Sequence, residues 1–146
     1  MYATILAATD GSDHARRALT EAAGLARALG SRLHVIHCPQ VETAALMAGS
    51  MVAVLDAIPD AEEIEKAGRE VLDNARTWVE EQGWTVEDLH LRQGDPADEI
   101  IDCARQIGAE LIVVGRRGVG AVRAAVFGSV SHEIAHRARL PLLTVG

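Results

Sequence analysis

The sequence predicts an α/β domain in which a mostly parallel sheet is covered by helices on both faces. Three observations carry this expectation. Short apolar runs alternate with longer segments of helical period. Gly, Pro, Asp or Ser stands at nearly every changeover between them. The strand-like runs are apolar on consecutive residues, as strands buried on both faces are. Strands that alternate with helices imply right-handed crossovers and parallel pairing.

The elements follow in order. Thr4 to Thr9 reads as a buried strand, broken by Asp10-Gly-Ser-Asp13. Ser12 can cap the next helix by accepting a free first-turn amide. That helix runs to about Leu29, with Ala15, Leu19, Ala22 and Ala26 on one face and Gly30 placed to end it. Arg32 to Cys38 is a second strand, stopped by Pro39. Residues 40 to 59 are ambiguous, with room for a short apolar helix in a long connection. Asp60 to Gln82 is strongly helical, with Ile64, Val71, Ala75 and Val79 turned inward and Gly83 at its end. Trp84 to Arg92 alternates like a strand, and Gly94-Asp-Pro96 turns the chain. Pro in a first helical turn loses no bond that it would have made. Ala97 to Ile107 is then a helix with Ile100, Ile101 and Ala104 buried, ended by Gly108. Glu110 to Val114 is a fourth strand, and a glycine-rich loop spans Gly115 to Gly128. Ser129 to Ala138 is the last helix, and Pro141 opens the last strand, Leu142 to Val145.

Length and composition bound the rest. The chain has 146 residues, which suits one domain, and 49% hydrophobic with 24% charged residues are values of a folded chain. A net charge of −7 argues against a general nucleic-acid binder but allows a small basic anion pocket. The two cysteines, Cys38 and Cys103, match no metal spacing and read as reduced structural thiols. No signal-peptide pattern opens the sequence, and the most apolar window, Thr43 to Ile58, is shorter than the ~20 residues of a membrane span. A soluble, cytoplasmic protein without membrane contact is the expectation.

In a Rossmann-like sheet of order 3-2-1-4-5, ligands bind at the carboxyl ends of the strands, between the first and the fourth. The residues there are Asp10 and Gly115. Asp10 can face a ribose or a metal, or serve only as a helix-entry turn residue. After the fourth strand come Gly115-Arg-Arg-Gly118, nine residues, and Gly128-Ser129-Val130 opening a helix. Glycines let backbone amides approach an anion. The helix start aims free amides and the positive end of its dipole at the same place, and Ser129 adds a hydroxyl donor. The pattern points to a nucleotide phosphate. It is neither a Walker loop, since Gly-Lys-Ser/Thr is absent, nor a dinucleotide fingerprint.

The spacing G-2x-G-9x-G-[S/T], met by Gly115, Gly118, Gly128 and Ser129, resembles the nucleotide-binding signature of the universal stress protein family. Thr4 to Ser12, Leu33 to Ile36, Gly94-Asp-Pro96, Glu110 to Gly115 and Leu140 to Val145 resemble other landmarks of that family, so the likeness runs along the whole chain. It implies a single-domain, adenine nucleotide alpha-hydrolase-like sandwich over residues 1–146, with a five-stranded parallel sheet. It implies that Ala8, Thr9 and Asp10 flank a nucleoside, that the backbone of Val35 reads the adenine edge, and that Val130 adds an amide beside Ser129. The implied ligand is ATP, with AMP as the alternative and Mg2+ accompanying the nucleotide. The implied role is in stress response, as a homodimer with at most slow ATP hydrolysis. Arg116-Arg117 fills a slot that often holds Ser and one basic residue. One of the two, Arg116, is expected at the phosphates and the other in solvent.

Competing constellations are weaker. His132-Glu-Ile-Ala-His136 spells the zinc-peptidase motif H-E-x-x-H. At about 100° per residue, its histidines lie opposite Val130 and Ile134, on the polar side of the helix. No third ligand is expected in the ten residues that follow, and Arg139 and Leu142 stand where the extended motif needs Gly and His. His34 and His37, at odd spacing on a strand, point to opposite faces, one buried and one lining the ligand side. No catalytic trio is visible, no general base is placed to activate water, and no catalytic or metal-ligating residue is assigned. The alternative to an ATP-binding protein is a non-enzymatic dimeric interaction module whose pocket is empty or holds AMP. A zinc peptidase is remote. The last strand would lie at a bare sheet edge with only Gly146 after it, so a two-fold partner is expected to pair with residues near 140–146.

Overall fold

The computed structural model describes residues 1–40, 60–117 and 128–146. The reading of 40–59, all but Gln40, and the assignment of Gly118 therefore lie outside the described residues. The elements are β1 (Thr4–Ala8), α1 (Asp13–Leu29), β2 (Arg32–His37), α2 (Ala61–Glu81), β3 (Asp88–Leu91), α3 (Pro96–Ile107), β4 (Leu111–Gly115), α4 (Ser129–Arg137) and β5 (Leu142–Val145). All four strand pairings are parallel and the sheet order is β3-β2-β1-β4-β5, as expected.

Two apolar layers hold the sheet. On one face Ile5, Ala7, Leu33, Val35 and Val113 meet α1 and α2. On the other, Leu6, Ile36, Ile112 and Val114 meet α3 and α4. The alternate residues of each strand divide between the layers because successive strand side chains point to opposite faces. α1 buries Ala15, Ala18, Leu19, Ala22, Ala23 and Ala26. With so little side-chain bulk, its axis can settle close to the central strands.

Helix boundaries follow local chemistry. Ser12 Oγ accepts from Ala15 N at 3.2 Å, and Gly30 ends α1 in the left-handed region (φ 69°). Asp60 and Glu63 form a reciprocal capping box on α2. Asp95 caps α3 with Pro96 just inside it, and Gly108 ends it.

Three expectations are corrected. The inward stripe of α2 is Gly68, Leu72, Ala75 and Val79, with Ile64 and Val71 only half-buried. The stripe rotates because α2 must close on β3. A Cβ on Gly68 would stand 2.7 Å from Leu91 Cδ1. On α3, Cys103 is buried where Ile101 was expected; Ile101 is half-buried. β3 covers only Asp88–Leu91 rather than Trp84 to Arg92, since Trp84 and Val86 pack as side chains beside the α1–α2 layer before pairing begins. No described helix is long and apolar enough to cross a membrane.

Candidate functional site

β1 and β4 lie side by side, in register from Ile5↔Leu111 to Ala7↔Val113, so their carboxyl ends open together where the strand order reverses. The turn after β1 is held by its own side chains. Gly11 N donates to Thr9 Oγ1 (3.2 Å) and Ser12 N to Asp10 Oδ1 (2.9 Å). Asp10 thus has the turn role among its duties. The turn is also tied to β2: Thr9 N donates to Ile36 O, and His37 Nδ1 donates to Thr9 O at 2.8 Å. That bond fixes the neutral tautomer of His37, with the proton on Nδ1.

Across the crevice, Arg116 N donates to Val145 O and Gly128 N to Arg116 O, each at 2.6 Å. Ser131 Oγ is within hydrogen-bond distance of Arg116 O (3.2 Å) and Gly128 O (3.0 Å). These bonds draw the start of α4 up to the end of β4. Ser12, Asp60 and Asp95 cap the other three described helices, but α4 begins at Gly128 with no side-chain cap. Its first amides therefore face the crevice without a side-chain acceptor, which suits an anion.

Both arginines after β4 are half-buried, and each has a shielded Nε with no hydrogen-bond partner among the described residues. The expectation that one would stand in solvent is not met. Arg116 leans on the end of β5, where a Cβ on Gly146 would lie 3.0 Å from its Cζ.

Of the expected site residues, Ala8, Thr9, Asp10, Gly115, Arg116, Gly128, Ser129 and Val130 gather at this edge. Ser129 is exposed, and Val130 packs against the α3–α4 layer. Val35 is apart from them. It is fully buried between Ala7 of β1 and Leu89 of β3. Leu33 O and His37 O accept from the β3 side, so by alternation the backbone of Val35 faces β3 as well. The β2 residue at the edge is His37.

A Gly128-to-Arg116 fastening by Ser131 was not legible in the sequence, because a serine inside a helix carries no sign of what lies beyond it. Gly115 has a second reason to be glycine: a Cβ there would stand 2.9 Å from the backbone carbon of His14 and 3.0 Å from Ala15 N.

A separate groove of about 450 Å³ runs between α1 and α2. Leu19, Val71 and Ala75 help to line it, and the Arg16 guanidinium lies 5.0 Å from the Trp78 ring centre beside it. Among the described residues, it meets the crevice at the Thr9–Ser12 turn.

A family model described as the universal stress protein family matches residues 1–146. This chain belongs to the universal stress protein family. It is 39% identical over 152 residues to a universal stress protein of Thermus aquaticus, covering 99% of each chain. To the universal stress protein YxiE of Bacillus subtilis it is 32% identical over 151 residues, again covering 99% of each. Among solved structures, a universal stress protein of Archaeoglobus fulgidus in complex with dAMP is 28% identical with a TM-score of 0.70, covering 100% of this chain and 98% of that one.

In this universal stress protein the remaining reactive groups are quiet. Burial pushes the Cys38 thiol up to about 12 and raises that of Cys103 as well, so both are protonated thiols. His34 and His37 take opposite faces, as their spacing requires, but both are buried. His34 Nδ1 meets His90 Nε2 at 3.1 Å, one neutral ring donating to the other, with the rings stacked. Asp88, Glu87, Arg32 and Arg92 surround that pair.

Burial holds His34, His37 and His90 below the ordinary 6.5. A histidine depressed in the folded state binds more protons when unfolded, so its contribution is intact above 6.5 and is lost as pH falls toward the folded value. The urea midpoint is therefore expected to fall as the pH drops below about 6.5. His34→Gln/His90→Gln should flatten part of that drop. An equal slope in the variant would exclude the pair as its source.

Proposed function

We propose that this chain binds ATP at the β1–β4 crevice and acts as a cytoplasmic stress-response regulator, with at most slow hydrolysis. The observation that carries the reading is the uncapped start of α4, drawn up to the end of β4 at the switch point of the sheet by the bond from Gly128 N to Arg116 O. Family membership and the dAMP-bound relative support an adenine nucleotide. In this reading Thr9 and Asp10 flank the nucleoside, while the amides and hydroxyl at Gly128, Ser129 and Val130, with Gly115 and Gly118, receive the phosphates. Arg116 adds charge, and Mg2+ accompanies the nucleotide. The dAMP complex also favours a second reading, in which a nucleoside monophosphate fills the pocket of a non-enzymatic interaction module.

We also propose a homodimer through residues 140–146. Ile112 N donates to Pro141 O and Arg116 N to Val145 O. Alternation along a parallel pair then leaves the amides and carbonyls of Leu142 and Thr144 facing away from β4, as a free edge for a partner strand.

Mass spectrometry of the nucleotide released on denaturation, followed by ATP titration of variants, tests the site. ATP is the expected species; AMP would favour the interaction module. Gly118→Val should abolish ATP binding with the far-ultraviolet circular dichroism unchanged. Arg116→Ala should weaken it by about 1.5–3 kcal/mol, as for a hydrogen bond to a charged group, and flatten its salt dependence. Arg117→Ala should do little. Unchanged affinity in folded Gly118→Val would refute the phosphate assignment.

A further inference from the structure

The H-E-x-x-H segment has no part in the nucleotide site, yet its two histidines are arranged to chelate. His132 and His136 stand one turn apart on α4, both exposed, with ring centres 4.4 Å apart and ring planes at 70°. Among the described residues, neither imidazole ring has a hydrogen bond or ion pair, and the two rings meet each other. Side chains at i and i+4 project from one helical face. Neutral imidazole is a ligand for Zn2+, Ni2+ and Cu2+, at metal–nitrogen distances of about 2.0–2.1 Å for zinc. Two nitrogens on one such ion stand about 3 Å apart, and rings already in contact reach that separation by side-chain rotation alone.

We propose that His132 and His136 form a surface chelate for a divalent transition-metal ion, each ring supplying one nitrogen and water the remaining positions.

The neighbouring charges permit a cation. Arg137 is engaged by Glu133 on its own helix at 3.5 Å and by Asp98 of α3, so its charge is met by two carboxylates. The same pairing occupies Glu133, the residue that a peptidase would use as base. Among the described residues no group of three or more His, Cys, Asp or Glu is arranged to hold a metal. The site is therefore a two-ligand clamp rather than a catalytic centre. An ion that bridges His132 and His136 pins the turns following the start of α4 at Ser129. It binds the folded helix in preference to the unfolded chain and so raises the unfolding temperature.

The test is calorimetric titration of the full chain with NiCl2, repeated with CuCl2, ZnCl2 and MgCl2. It is paired with thermal unfolding in the presence and absence of Ni2+. One Ni2+ per chain is expected, with Cu2+ binding more tightly than Ni2+ and Mg2+ producing no heat. H132Q and H136Q should each weaken Ni2+ at least tenfold and remove the shift in unfolding temperature. H14Q should change neither. Both substituted side chains are exposed, so the variants should fold, which circular dichroism checks. Ni2+ binding retained in H132Q/H136Q would assign the ion elsewhere, including to nucleotide phosphates, and overturn the proposal. So would the absence of Cu2+ binding to the wild type.

Discussion

Gly115→Val is expected to lower stability by about 3 kcal/mol and to lose ATP binding with it. The added Cβ would fall 2.9 Å from the His14 backbone carbon, 3.1 Å from its oxygen and 3.0 Å from Ala15 N. These are main-chain atoms of the first turn of α1, which cannot rotate aside as a side chain can. Overpacking of this kind costs about 1–3 kcal/mol, and valine, with two further methyls, belongs at the upper end. Against a total of about 5–15 kcal/mol for a domain, that loss is readily seen as a shift in urea midpoint. The displaced turn begins beside Ser12, so the Thr9–Asp10 wall of the crevice moves with it. Gly68→Ala provides the contrast. Its Cβ would meet Leu91 Cδ1 at 2.7 Å and Pro39 Cγ at 3.1 Å; the first is the tip of a flexible side chain, the second needs to give by only a few tenths of an ångström, and alanine gains helix propensity of about 1 kcal/mol over glycine. It should be nearly neutral. Equal midpoints for Gly115→Val and the wild type would show that α1 can lift away from the sheet at little cost.

The second large effect is at the sheet edge. Thr144→Pro should convert a homodimer into a monomer, halving the mass measured by light scattering at micromolar concentration. The β4–β5 ladder uses Pro141 O and Val145 O, and by alternation the amide of Thr144 faces outward. Proline at that position removes a donor to the partner strand and leaves the pairing with β4 in place, as edge-strand prolines do. The variant should therefore stay folded. A monomeric wild type, or a variant that remains dimeric, would refute pairing through β5.

The sequence by itself determined the parallel α/β class, the helix ends and the neighbourhood of the crevice, while the strand order came with the family resemblance. The first three rest on local chemistry. The alternation of apolar runs sets the class, Ser12, Asp60 and Asp95 cap their own first turns, and Gly30 and Gly108 adopt a conformation that side chains resist. The glycine spacing after β4 marked the stretch proposed to receive phosphate for the same reason, since free amides and a helix start are properties of a short stretch of chain. Only the tertiary structure decided which face of α2 is buried, because Leu91 and Pro39 press on Gly68 from elements that periodicity does not see. It alone showed that Val35 sits inside the ladder with His37 at the edge, that Ser131 fastens α4 to β4, and that both arginines after β4 lie half-buried. It gave Gly115 a packing role beside the one its motif suggests. These features depend on the distance between segments remote in sequence, and that distance is set by how closely an alanine-faced helix settles on the sheet, which no local pattern records.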